Sequence, residues 1–412
     1  QPDKEYLYYS RYGAYGSYDG MNAIRPSSLQ LGNLKWETTR SNNFGIDLGL
    51  FDDKYVFDIN FYKKNTKDLL FKDYPVPPTS GFTGQSYKNA GEMNNDGWEV
   101  NFYANRFVKT KDFSMDFTFN LSNYKNTLVN LDSRLLSVYN ESFKYNNGKY
   151  LTRIQPNNSF GSIYGFRYKG VYQYDQYIPG QHENAPVARD ASGNVIVDQK
   201  GNPKAVYFAY GQNSAYRFRG GDAAYEDVNH AGSIDELDIV YLGNANPKLN
   251  GGFGPTIRWK DLTVRLFFNF RYGNKIINIA RMNAENMYYD NNQSVATNWR
   301  WRVDGDVTQM PRALHGAGYN WLGSDRYVED GSFLRFKYLT FNYSVPQKIV
   351  KSCKLNKVSL YLTFNNLFCW TKYTGVDPEV GYGNLTDNSG LSVDNSSTPR
   401  TKDFTFGVSI GL

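Results

Sequence analysis

Apolar residues recur at every second position over long runs of this chain, and few folds accept that pattern. The last run, TKDFTFGVSIGL, places Phe404, Phe406, Val408, Ile410 and Leu412 on one side of a strand. Thr405, Gly407, Ser409 and Gly411 fall on the other. Successive strand side chains point to opposite faces, so such a run has one apolar and one polar face. The pattern repeats. Met115, Phe117, Phe119 and Leu121 oppose Ser114, Asp116, Thr118 and Asn120. Tyr55, Phe57, Ile59 and Phe61 oppose Asp58, Asn60 and Tyr62, and Leu262 through Phe270 and Val358 through Phe364 behave alike. In the stretch SFLRFKYLTFNYSVP the parity breaks between Phe336 and Leu339, which predicts either a bulge or a Phe336 turned to the opposite face.

The connections alternate as well. Short ones are expected at 52–53, 108–111, 260–261 and 346–356, and long polar ones at 65–95, 124–159, 173–250, 272–331 and 371–402. A soluble sandwich or propeller also has strands with one packed face. Its connections do not divide so cleanly into turns of a few residues and loops of tens. The expected fold is therefore all-β: an antiparallel transmembrane β-barrel with short periplasmic turns, long external loops and about ten to twelve strands in this chain. Strands of about 9–11 residues cross a bilayer when tilted. The apolar face then meets outer-membrane lipid and the polar face a wet interior.

Composition agrees. Only 40% of residues are hydrophobic and mean hydropathy is −0.61, yet 17% are aromatic, with 35 Tyr and 27 Phe. No apolar run approaches the roughly 18 residues of a membrane helix. The start, QPDKEYLYYS, has neither an initiator Met nor a basic region followed by an apolar one, and reads as that of a mature or partial product. The charge of +6 (46 basic, 40 acidic) is interspersed and leaves no nucleic-acid footprint. Cys353 and Cys369 sit near opposite ends of one expected strand, roughly 50 Å apart when extended, against the ~6 Å that a disulfide requires.

Several blocks make the chain familiar. GNLKWETTRSNNFGIDLGLFDDKYVFDINFYKKNTKDLL, with Leu34, Lys35, Trp36 and Glu37 and then Tyr62, Lys64, Thr66, Asp68, Leu69 and Leu70, resembles the SusC/RagA family of TonB-dependent transporters from the outer membrane of Bacteroidota. TSGFTGQSYKNAGEMNNDGWEV, GSIYGFRYKGVY, YLGNANPKLNGGFG, SDRYVEDGSFLRFKYLTFNYSVP and NNLFCWTKYTGVDPEV follow in the family's order. The resemblance implies a large plugged barrel of about 22 strands, of which residues 1–412 are the C-terminal portion, with the plug domain and TonB box absent from this chain. It further implies energised import of oligosaccharides or peptides, captured by a SusD-like lipoprotein that acts as a lid, with TonB acting through the N-terminal region. Members often end in Phe, whereas this chain ends in Leu412. A non-transporting adhesive barrel and a passive porin are the alternatives, and a plug would exclude the porin.

Chemistry is sparse. His182, His230 and His315 lie far apart, and no nucleophile elbow, Walker A or H-E-x-x-H pattern occurs. The chain is not expected to be an enzyme or to require a cofactor. One stretch, DVNHAGSIDELD, approximates a calcium loop: Asp227, Asn229, Gly232, Ile234, Asp235 and Asp238 occupy positions 1, 3, 6, 8, 9 and 12. Ala231 at position 5 removes a ligand where family members often carry Asp, so a metal-free acidic turn is the favoured reading and Ca²⁺ the alternative. Tyr288, Tyr289, Trp299, Arg300, Trp301, Arg302 and Trp321 are the candidates for contact with substrate or lid. Rings stack on sugars and guanidinium groups fork onto carboxylates and carbonyls. The same residues could instead pack between loops.

Overall fold

The computed structural model describes residues 9–80, 82, 85–135, 150, 155–210, 214–380, 392–396 and 398–411. Leu412 and the parts of the expected loops at 136–149, 151–154, 211–213 and 381–391 lie outside them. Eleven strands of eight residues or more occur among the described residues. The chain forms two compact units: Gln1–Ser142 with Arg153–Phe160 and Lys248–Lys260, and Phe143–Thr152 with Gly161–Pro247 and Asp261–Leu412.

The first unit opens with an antiparallel hairpin, β1 (Arg11–Tyr18) and β2 (Met21–Ser28). Its main sheet comprises β3 (Thr38–Leu50), β4 (Tyr55–Lys67), β5 (Gly91–Lys109), β6 (Phe113–Leu131) and β7 (Leu249–Trp259). They pair antiparallel in the order β7-β6-β5-β4-β3. Their register aligns the apolar positions into rows. Leu48, Phe57, Phe102, Phe119 and Phe253 face one another across five strands, and Ile46, Ile59, Val100 and Leu121 form the adjoining row. Trp98, with Phe44 and Phe61, ends the set on one side; Trp259, opposite Phe113, ends it on the other. From Phe113 to Asn123 a strand rises about 33 Å, which on tilting matches the apolar band of about 25 Å in outer-membrane barrels. Tryptophans at both margins fit the two interfaces. Asp47, Asp58, Asn101 and Asn120 share a row on the polar face. A one-residue slip would exchange the faces, so burial against lipid specifies the register.

The second unit's sheet is β8 (Leu262–Tyr272), β9 (Phe333–Ser344), β10 (Lys357–Thr371) and β11 (Asp403–Gly411), in the order β11-β10-β9-β8. Val264, Phe341, Leu362 and Phe406 form one row; Leu266, Leu339, Phe364 and Phe404 form the next. Of the two expectations for Phe336 the bulge is correct. Lys337 is the extra residue against β8, while across the other edge of β9 the extra residue is on β10, where Asn366 and Leu367 stand opposite Lys337 and Asn366 takes a φ of 52°. Phe336 thus stays in the apolar row and stacks on Phe268 at 4.5 Å. Phe404, Phe406, Val408 and Ile410 remain 50–70% exposed, an apolar face with no protein against it.

The short turns are as expected. Phe51, Asp52 and Asp53 pass from β3 to β4 in left-handed conformations (φ 56°, 53° and 58°), and Lys260 does the same after β7 (φ 51°). The long connections differ. β3 to β6 are 13 to 19 residues long, so pairing continues well beyond the apolar band. There the Asn65 amide donates to Glu92 and Asn94 at 2.6 and 2.7 Å. Hydrophobic alternation stops at the membrane margin, while Asn, Thr and Lys still pair across a solvated ladder.

Burial also departs from expectation. The loops are not simply polar: they hold the hydrophobic cores. Phe166, Phe208, Phe218 and Ile234 form one cluster, Met282, Trp321 and Tyr327 another, each residue at most 1% exposed. The long strands need no inner core because their apolar side faces lipid. Loops of tens of residues must bury apolar surface of their own to hold a shape.

Candidate functional site

The concave feature among the described loops of the second unit is built around a short helix that follows β8. Asn278 caps it, accepting from the Arg281 N–H at 2.9 Å, and the helix runs Ile279–Glu285. Met282 enters the cluster of Met287, Met310, Trp321 and Tyr327. Arg281 and Glu285, one turn apart, pair at 2.9 Å. Arg281 also reaches Glu329 at 3.0 Å, and Glu285 accepts from Arg326 at 3.2 Å and from the Tyr327 hydroxyl at 3.0 Å. Glu329 in turn accepts from the Thr374 N–H at 2.8 Å. This network borders a cleft of about 710 Å³, lined by Asn278, Arg281, Glu285, Ser294, Thr374 and Asp394 among others. Charged, amide and hydroxyl groups stand there among the carbons of Ala280, Ala284, Val376 and Pro399, and no aromatic ring is among its described lining residues. It can hold a polar ligand by hydrogen bonds and charge.

Ser294, on the cleft wall, also caps the short helix Val295–Trp299 by accepting from the Ala296 N–H. Of the seven residues singled out from sequence, Trp299 emerges from that helix 77% exposed, and Tyr289 is 49% exposed. Arg302 is exposed, donating to the Asn298 carbonyl at 3.0 Å. Arg300 is half-buried and donates to the Thr297 carbonyl at 3.2 Å. Tyr288 packs on the methionine cluster and meets Tyr289 edge-on at 4.8 Å. Trp301 donates to the Gln173 carbonyl at 3.0 Å and lies flat on Gly221, where a Cβ would come within 2.2 Å of the ring. Trp321, 1% exposed, is a core residue and cannot stack on a ligand. The seven therefore separate: exposed Trp299, Tyr289 and Arg302 can meet a ligand or partner, whereas Trp321 and Trp301 hold the loops.

Gly221 takes a φ of +81° under that ring. Gly221→Ala should cost the loop fold about 1–3 kcal/mol from backbone strain and a displaced Trp301. Hydrogen exchange at 300–312 should rise while exchange in β8 to β11 stays unchanged; unaltered exchange would remove Trp301 from the packing role.

The calcium-like stretch is a self-bonded turn. The Asp227 carboxylate accepts from the Gly232 N–H at 2.7 Å and the Asn229 side chain from Ala231 at 2.9 Å. Asp235 accepts from Leu237 at 2.8 Å, and buried Asp238 accepts from Val228 at 2.7 Å and Asp235 at 2.8 Å. Burial, then the nearby carboxylates of Asp227 and Asp235, push the Asp238 carboxyl above its usual range. No group of three His, Cys, Asp or Glu side chains able to hold a metal occurs among the described residues. Cys353, exposed in the turn after β9, and Cys369, on β10, are free.

Sequence reading missed the ion pairs that set the loops. Asp222, fully buried, accepts from Arg312 at 2.6 Å, from the Tyr216 hydroxyl at 2.8 Å and from the Arg219 N–H at 2.8 Å. Asp175 takes the Arg219 guanidinium at 2.9 and 3.0 Å, which holds its carboxyl below the usual range. Arg335, 4% exposed on the polar face of β9, pairs with Asp377 and Glu379. Only two of these had a local signal: the four-residue spacing of Arg281 and Glu285, and a charge at the polar parity of a strand for Arg335.

The family described as TonB dependent receptor-like, beta-barrel, matches residues 5–198. TonB-dependent receptor P3 of Formosa agariphila is 29% identical over 398 residues, covering 95% of this chain and 36% of the relative. TonB-dependent receptor SusC of Bacteroides thetaiotaomicron is 25% identical over 390 residues, covering 92% and 32%. The chain thus spans about a third of the length of the curated relatives it matches. In fold it is similar to a chain of the RagAB peptide transporter, with a TM-score of 0.68 and 23% identity over 99% of this chain and 39% of that one. With two-faced antiparallel sheets joined by short turns and by long, internally packed loops, the chain carries a TonB-dependent receptor-like β-barrel domain and is similar to outer-membrane receptors of the SusC/RagA type.

Proposed function

We propose that this chain supplies part of the barrel wall and external loops of an energised importer that carries oligosaccharides or peptides across the outer membrane, with a SusD-like lipoprotein as its lid and TonB as its source of force. The observation that carries the reading is an exposed apolar patch on otherwise well-packed loops. Val295, Trp299, Val303 and Val307 are 62–83% exposed within thirteen residues. The Thr308 hydroxyl donates to the Trp299 carbonyl, tying the two ends of this segment together. Patches of this kind on a folded surface mark interaction sites, and Trp is enriched at their hot spots. The cleft, with Arg281, Glu285 and Thr374 on its wall, suits a hydroxyl- or amide-rich oligomer.

The test separates lid from cargo. Trp299→Ser with Val303→Ser and Val307→Ser should loosen co-purification of the lipoprotein and lower uptake, with heat-modifiable migration of the barrel unchanged. Unchanged co-purification and uptake would count against this surface. Trp299→Ala alone should weaken a stacked sugar by about 1 kcal/mol and affect a peptide held through its backbone much less. Pools of defined oligosaccharides and peptides, recovered from the purified complex and weighed by mass spectrometry, distinguish the two cargoes; chemical change of either pool would refute non-catalytic transport.

A further inference from the structure

The turn between β9 and β10 differs in charge from the other short turns. Those at 51–54, 110–112 and 260–261 each carry at least one Asp, whereas residues 331–376 contain no Asp or Glu. Within this acid-free stretch Lys348, Lys351, Lys354 and Lys357 recur at every third position. All four are exposed, and none is within ion-pair distance of a carboxylate among the described residues. The adjoining turn carries Asp261, whose backbone carbonyl accepts from the Ser344 N–H. The turn is not loose. A helix, Gln347–Ser352, is pinned by Val350, 1% exposed, while the neighbouring Ile349 is 57% exposed.

Its position gives the charge a meaning. Lys357 directly precedes Val358, which faces Ile410 in the last outward row of the sheet, and Ile410 is 58% exposed. The basic turn therefore begins where the lipid-facing rows end, on the short-turn side that faces the periplasm in outer-membrane barrels. An exposed Ile beside four unpaired ammonium groups at that depth has the chemistry of an interfacial anchor: apolar body towards the acyl chains, charge towards phosphate. We propose that residues 347–357 dock anionic phospholipid headgroups of the periplasm-facing leaflet, Lys348, Lys351, Lys354 and Lys357 contacting the phosphates and Ile349 resting at the acyl boundary. The surface continues the lipid-facing wall, and its charge complements an anionic headgroup and not a zwitterionic one.

The experiment uses the full receptor, reconstituted in vesicles of phosphatidylethanolamine with a minority of phosphatidylglycerol. Lipids retained on release are weighed by native mass spectrometry. The wild type should enrich phosphatidylglycerol about five-fold or more over its share of the vesicle, since each Lys near an anionic surface can contribute about that factor, and added salt should lower the enrichment. Lys348→Gln/Lys351→Gln/Lys354→Gln/Lys357→Gln should abolish it. Lys200→Gln/Lys204→Gln, in an exposed loop, should leave it intact; an equal loss there would reduce the effect to net charge and overturn the docking site. Undiminished enrichment in the quadruple variant overturns it as well. So does lost binding to isolated cell-wall sacculi with lipid enrichment unchanged, which would assign the lysines to the wall polymer. Should the quadruple variant fail to insert, Lys351→Gln/Lys354→Gln carries the test: an intermediate enrichment supports the proposal and an unchanged one refutes it.

Discussion

Phe119→Arg in the full receptor is expected to destabilise the barrel by about 2–4 kcal/mol, and Asn120→Arg by far less. The two residues are neighbours on β6 and lie on opposite faces of it. Phe119 sits between Phe102 and Phe253, in the middle of the apolar rows that run from Trp98 to Trp259. Arginine there brings a guanidinium to the bilayer midplane, where nothing hydrates it and snorkelling reaches neither interface cheaply. Asn120 lies between Asn101 and Gly252 on the polar face, in reach of water. Denaturant titration of both variants in lipid vesicles measures the difference. Equal destabilisation would mean that the apolar rows do not face lipid.

The second large effect is expected away from the membrane. Asp222→Ala should destabilise the folded loops of the second unit by about 3 kcal/mol, because it leaves the Arg312 guanidinium without its carboxylate in a place from which water is largely excluded. Asp222 is 0% exposed, and the Arg312 side chain retains 27% of its exposure, which puts the expected loss at the low end for a broken buried pair. The same substitution also leaves the Tyr216 hydroxyl and the Arg219 N–H unsatisfied. Asp222→Asn, which keeps acceptors in place, should cost less. Combining Asp222→Ala with Arg312→Leu should recover much of the loss, since no orphaned charge remains. Hydrogen exchange across 161–247 reports the change. If exchange there is unaltered while the strands loosen, the pair does not latch the loops.

How much of this was legible in the sequence depends on the range of the interaction concerned. The faces of β4, β6 and β8 to β11, the turns at 52–53 and 260–261, and the break of parity near Phe336 are readable, because strand periodicity is local and lipid rewards every second residue over the whole run. The choice between a bulge and an inverted Phe336 came from the ladder and not from the chain: Lys337 is an extra residue against β8, and β10 answers it with two residues of its own, Asn366 and Leu367. Strand ends were less legible. Beyond the membrane the alternation fades, while backbone pairing continues through residues such as Asn65 and Asn94.

The candidate site was legible only as a composition. Seven aromatic and basic residues in one loop looked equivalent as sequence. The tertiary structure buried Trp321, laid Trp301 on Gly221 and left Trp299 in solvent. Nothing within a few residues of any of them distinguishes these fates, since each is decided by partners such as Gln173 and Tyr327, brought near by folding. The pairs Asp222–Arg312, Glu285–Arg326 and Arg335–Asp377 are separated by 90, 41 and 42 residues. Their strength comes from low water access and close geometry, which a sequence does not express. The sequence by itself determined a wall with one side for lipid and one for water. Which loop residues hold the wall's contents, and which are free to meet a ligand, was decided only by the packing of loops whose apolar residues follow no period.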